Sequence, residues 1–175
     1  MQEVYINAQR IKRMREFPDI VSTIERRTKS KIEINKKDDF IIIESSDAIM
    51  EFTAANIVTA FGRGFDIETA LLLLNDDYYF SYIDLRQIFG NSGRMQQIKS
   101  RVIGENGRTK IYIESVSGAH ISVYGHTIGF IGMIDQINEA ETAVRTLVEG
   151  GSHKLAYQRM EASHRKHKDY THIFK

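Results

Sequence analysis

The sequence predicts an α+β fold: two tandem units of one design, each a three-stranded antiparallel sheet packed by three helices, followed by a C-terminal helix. Three observations carry this expectation. The chain matches itself at a spacing of about ninety residues, with Ile24-Glu25 answering Ile113-Glu114 and Lys31-Ile32-Glu33-Ile34 answering His120-Ile121-Ser122-Val123, while Ile43, Asp47 and Ile49 answer Ile131, Asp135 and Ile137. Each copy places short segments of strand-like alternation between longer segments of helical period. Gly, Pro and Asp stand at the joints, where caps and turns need them.

In the first copy, residues 4–6 predict a strand and 9–15 a brief helix. Pro18 and Asp19 open a second helix that runs to about Thr28, with Ile20 and Ile24 on its apolar stripe. Residues 31–35 alternate as a half-buried strand, 36–39 form a polar turn, and the β-branched run 40–44 predicts a strand buried on both sides. Asp47 caps a long helix through Ala60, with Ile49, Phe52, Ile57, Val58 and Phe61 as its core stripe, stopped by Gly62 and Gly64. Residues 63–77 predict a linker with a short helix whose Ala70, Leu71, Leu73 and Leu74 face inward and dock the two copies.

The second copy opens with a strand at 78–83 and a helix at 92–101; a loop at 104–107 leads to a second helix at 108–116 that Gly118 ends. Residues 120–124 and 127–131 predict a hairpin around Gly125, and Asp135 caps the last core helix through Val148. Beyond Gly150-Gly151, Ser152 caps an appended helix to about Lys168. The expected domains are therefore 1–62, a linker at 63–77, 78–150, and a basic C-terminal helix and tail at 151–175.

Composition narrows the function classes. The 175 residues hold 24 Lys+Arg against 23 Asp+Glu, a formal net charge of +1, so attraction for nucleic acid has to be local. Cysteine is absent, which excludes disulfides and Cys-ligated zinc and fits a reducing, cytoplasmic setting. The most apolar runs, 40–43 and 70–74, are far shorter than a membrane span, and no secretory apolar segment opens the chain. The expectation is a soluble protein.

The chemistry concentrates in residues 102–124, VIGENGRTKIYIESVSGAHISVY. Gly104, Glu105, Asn106 and Gly107 form a Gly-x-x-Gly turn between two helices; glycines admit a close approach, and the following helix presents its positive end to an anion. Arg94, Lys99, Arg101, Arg108 and Lys110 bracket the turn; Arg101 and Arg108 lie closest to it, while Lys99 and Lys110 are equally explained as a solvated helix face. Ile103, Ile111, Ile121 and Val123 supply an apolar floor or simple core. This arrangement resembles the type I KH module, whose glycine-bounded loop clamps about four nucleotides of a single strand, so the fold expectation becomes two tandem type I KH domains plus a C-terminal helix. In the first copy the corresponding positions are Arg15, Glu16, Phe17 and Pro18, without glycine, so that copy is expected to keep the fold and lose the clamp.

A closer resemblance covers nearly the whole chain. With the linker GRGFDIETALLLLNDD at 62–77, IDLR at 83–86, and VIGENGRT followed by ISVYGHTIGFIG over 102–132, the chain resembles archaeal members of the rRNA-processing KH family, small-subunit assembly factors that partner the Nob endonuclease. The resemblance implies a non-enzymatic protein without cofactor or metal that binds single-stranded RNA near the 3′ end of small-subunit rRNA. Its implied partners are the PIN-domain endonuclease and the α subunit of initiation factor two. Its binding loop falls on Gly104 to Gly107 with Arg108 following. Glu105 departs from the cation usual in such loops.

Other constellations point elsewhere with less force. Arg165, Lys166 and Lys168, with Lys154 and Arg159, make the last helix a candidate basic arm for phosphates or a solvated helix end suited to its dipole. His164, His167 and His172 lack the further ligands a metal site needs, and Asp76-Asp77 reads as a helix-ending turn rather than paired catalytic carboxylates. The alternative function is a protein-interaction scaffold for the endonuclease or the initiation factor with incidental RNA contact; a metal-dependent nuclease is the third.

Overall fold

The computed structural model describes residues 1–35 and 40–173, with side chains to Asp169 in the last helix. The polar turn expected at 36–39 lies outside the described residues. The chain divides into two compact units, Met1–Phe80 and Ser81–Lys175.

Unit 1 begins with β1 (Gln2–Tyr5), α1 (Ala8–Glu16), α2 (Pro18–Thr28), β2 (Lys31–Ile34), β3 (Phe40–Glu44) and α3 (Ala48–Gly62). Its antiparallel sheet has the order β1-β3-β2, with Val4 opposite Ile41 and Ile32 opposite Ile43. Those four side chains are buried together with Ile11, Met14, Ile24, Ile57, Val58 and Phe61 from the helices. β3 alternates buried Ile41 and Ile43 with half-buried Phe40 and Ile42, so its burial is one-sided rather than two-sided as expected. Asp47 caps α3 by accepting from the Ile49 and Met50 amides at 2.9 and 3.3 Å. Ile49 and Phe52, expected in the core stripe, are exposed instead. The segment after α3 packs within unit 1: α4 (Ile67–Ala70) and a 3₁₀ turn (Leu71–Leu74) bury Ala70 and Leu73, and Arg10 donates to the Phe61 carbonyl at 2.7 Å and to that of Phe65.

The following elements are β4 (Tyr79–Asp84), α5 (Ser92–Ile103), α6 (Arg108–Ser117), β5 (His120–Tyr124), β6 (Thr127–Gly132), α7 (Ile134–Val148) and α8 (His153–Ile173). The sheet order is β4-β6-β5, with His120 opposite Ile131 and Val123 opposite Ile128. Every residue of β6 is buried. The start of α7 is held by Gln136, whose Oε1 accepts from the Met133 amide at 2.9 Å, and Asp135 lies in the first turn rather than at the cap. Ser152 accepts from the Leu155 amide at 3.1 Å. α8 packs on α6 and α7 and sinks Ala156 and Met160 into the core, so it is part of this unit's body.

The expectation of two tandem type I KH domains is corrected. The chain is α+β with two three-stranded sheets, but the helix joint that defines the module differs between the units. In unit 1, Phe17 alone separates α1 from α2, its amide bonded to the Arg13 carbonyl at 3.0 Å and Pro18 locking the next residue. There is no glycine turn at that joint. Only the second unit carries the loop, and the comparison below assigns one KH domain.

Candidate nucleic-acid interface

The loop between α5 and α6 has three residues at positive φ and is held in place by its own hydrogen bonds. The Gly104 amide donates to Ser100 at 2.8 Å, and the Gly107 amide donates to Gly104 at 3.2 Å. Gly104 (φ +75°), Asn106 (φ 53°) and Gly107 (φ +77°) all have positive φ, a region that favours glycine and tolerates Asn. The two glycines do different work. A Cβ on Gly104 would fall 2.2 Å from Thr109 Oγ1, so that glycine is required by internal packing. A Cβ on Gly107 would meet only Ile111 Cδ1, at 3.8 Å, so its outer side is open.

Arg108 starts α6 directly after this open side. No side chain caps the helix and no acid stands in its first turn, so the positive end of its dipole is available to an anion. The Arg108 amide donates to the Glu105 carbonyl, while its side chain is exposed and has no hydrogen bond or ion pair among the described residues. The other bracketing cations are committed. Lys99 Nζ donates to the Gly125 carbonyl at 2.8 Å and Arg94 to Gln97 at 3.0 Å. Arg101 donates to the Leu147 and Gly151 carbonyls at 3.0 and 2.6 Å, which ties α5 to the turn before α8. Lys110 pairs with Glu114 at 3.2 Å, and Glu114 also accepts from the Ile121 amide at 2.8 Å, joining α6 to β5.

The apolar candidates divide as well. Ile103 and Ile111 are 36% and 60% exposed on either side of the loop, Val123 is half-buried, and Ile121 belongs to the core. Glu105 and Asn106 are both exposed. The structure therefore brings Ile103, Gly104 to Gly107, Arg108 and Ile111 together as one surface, while the side chains of Arg101, Lys110 and Ile121 hold that surface up.

On α8, Arg165, Lys166 and Lys168 are exposed. Of the tail histidines, half-buried His164 and His167 each donate through Nδ1 to Glu139 at 2.8 Å, and Glu139 is 3% exposed; the side chain of His172 lies outside the described residues. Tyr112 of α6 donates to Glu161 of α8, which raises the Tyr112 pKa because the neutral phenol is the form that donates. Sequence reasoning misses these supports, because a lone Glu within a helical stripe carries no sign of burial. The open Gly107 beside Arg108 is visible in the sequence as Gly-x-x-Gly-Arg.

Comparison with known proteins gives the family. The family model of the eukaryotic type KH domain (KH domain type I) matches residues 79–165. Dim2p from Pyrococcus horikoshii, as a solved structure, superposes with a TM-score of 0.83 at 36% identity, covering 92% of this chain and 98% of that one. The chain belongs to the rRNA-processing KH protein family. A second Pyrococcus horikoshii structure, the a/eIF2alpha-aDim2p-rRNA complex, gives a TM-score of 0.85 at 35% identity over 94% of each chain. Among curated proteins, a KH domain-containing protein of Methanocaldococcus jannaschii is 35% identical over 85% of this chain, and the pre-rRNA-processing protein PNO1 of Chaetomium thermophilum is 30% identical over 75%. The chain spans 66% and 54% of the length of those two relatives. The KH match at 79–165 takes in β4 through most of α8 and leaves α1 to α3 outside it, so this family member has one KH domain assigned, beside a separate α+β unit.

Proposed function

We propose that this protein binds single-stranded rRNA, near the 3′ end of small-subunit rRNA, as a non-enzymatic ribosome assembly factor of the cytoplasm. The observation that carries the reading is the open side of Gly107, flanked by the unpaired Arg108 and the exposed Ile111 at an uncapped helix start. Phosphates would approach the turn and Arg108, with bases over Ile103, Ile111 and Val123. Lys99, Arg101 and Lys110 act by holding the surface in place. The similar Pyrococcus horikoshii protein solved in a complex with rRNA and a/eIF2alpha supports both the RNA reading and the initiation factor α subunit as a partner. The PIN-domain endonuclease is the second proposed partner.

The test is titration of a short small-subunit 3′-end RNA into wild type and Gly107→Asp. Asp tolerates the left-handed backbone and meets open space, so the fold survives while a carboxylate faces the phosphates. Affinity should fall ten-fold or more, about 1.4 kcal/mol; equal affinities, with the variant folded at the assay temperature, would remove the loop as the clamp. A protein-docking reading has its own observation, the exposed Ile49 and Phe52 on α3. It predicts partner complexes that survive RNase and are lost in Phe52→Asp.

A further inference from the structure

Glu105 stands inside the turn that is open to phosphate, and its carboxylate takes no part in holding that turn. The Glu105 carbonyl accepts from the Arg108 amide, but the side chain is exposed and makes no hydrogen bond or ion pair among the described residues. A Gln of the same reach would leave the fold unchanged, so the charge itself needs another reason. From Arg94 to Glu114 the chain carries Arg94, Lys99, Arg101, Arg108 and Lys110 against Glu105 and Glu114. Lys110 is answered by Glu114 at 3.2 Å. Lys99 and Arg101 are fixed on backbone carbonyls and Arg94 on Gln97, neutral partners that hold these cations in place without cancelling their charge. The region therefore still draws a polyanion, while within the turn itself, from Gly104 to Arg108, Glu105 and Arg108 cancel. A carboxylate about 5 Å from a phosphate in water opposes it by about four-fold in affinity, and about 0.1 M salt screens part of that.

We propose that Glu105 is an affinity-limiting residue of the RNA surface, its carboxylate opposing the phosphates that Arg108 and the start of α6 attract. The turn then grips a strand through its amides and apolar neighbours rather than through net charge. The inference rests on the loop reading and names the residue that sets its strength. The experiment titrates the full chain with the small-subunit 3′-end RNA and with an oligouridine of about twelve nucleotides. Glu105→Gln should tighten both by the same factor, about two- to four-fold at about 0.1 M salt, with an unchanged melting temperature. Glu105→Lys should tighten both further, to about ten-fold, and steepen the logarithmic salt dependence by about 0.7, one added phosphate contact. Unchanged affinity in Glu105→Gln overturns the inference, and if Gly107→Asp still weakens binding the loop reading stands. Weaker binding of either RNA by Glu105→Gln also overturns it, because the carboxylate would then be accepting from a base. A fall in melting temperature without a gain in affinity assigns the charge to the fold and overturns it too. Tightening by Glu105→Gln with undiminished affinity in Gly107→Asp keeps the inference and removes the open side of Gly107 as the contact. Wild type that binds neither RNA overturns both.

Discussion

Gly104 and Gly107 have nearly the same φ, yet substitution should separate them. Ala at 104 would have to hold φ +75° with ψ 172°, a backbone region that is essentially glycine's alone, and would collide with Thr109, 2.2 Å from its Oγ1; it should cost about 2–4 kcal/mol of stability by urea unfolding. Ala at 107 meets only Ile111 Cδ1 at 3.8 Å and should cost about 1–2 kcal/mol, the backbone strain alone. Similar losses at both would show that Gly104 is not packed as described. Asp84 gives a pH signature. Burial pushes its carboxyl up, but hydrogen bonds from Arg86 and the nearby His126 outweigh this and hold it below the usual range. A depressed folded-state value means the stabilisation is present above the unfolded pKa of about 3.9 and is lost as pH falls through the folded one. Asp84→Asn should therefore be less stable than wild type at neutral pH and approach it below about pH 4; a gap that persists in acid would contradict the pairing.

α8 shows where sequence patterning runs short. Its cations are legible as a basic face, and Ser152 is legible as its cap, because caps and charges are local. Its attachment is not: the ties are Met160 and Ala156 in the core, Tyr112 to Glu161, and two histidines on Glu139, pairs separated by 25 to 49 positions along the chain. Met160→Ala should cost about 2–5 kcal/mol; a near-neutral effect on thermal unfolding would mean that α8 is an appendage. The same distance effect explains Arg101, which sits beside the loop in sequence but donates to carbonyls 46 and 50 positions away. α3 departs from expectation differently. Ile49 and Phe52 share the helical period of its core residues, and periodicity alone cannot say how wide a stripe the sheet will cover.

Across the chain, the internal match of Ile32 and Ile43 with their second-unit counterparts is enough to place two three-stranded sheets in sequence order. It overreaches in making both units KH domains, because a shared apolar pattern constrains packing and says little about the joint between the first two helices, where Phe17-Pro18 stands against Gly104 to Gly107. The loop's location is legible because glycine, unlike an apolar residue, marks a specific backbone demand. Which of its neighbours face outward is not, and the structure reduces five bracketing cations to one, Arg108, with no partner of its own among the described residues. The most direct measurement is photocrosslinking of a 4-thiouridine-substituted small-subunit 3′-end RNA to the full chain, with adducts mapped by mass spectrometry. Adducts within residues 103–111 are expected and should vanish in Gly107→Asp; adducts found elsewhere, with none in that stretch, would mean that RNA does not run over this turn.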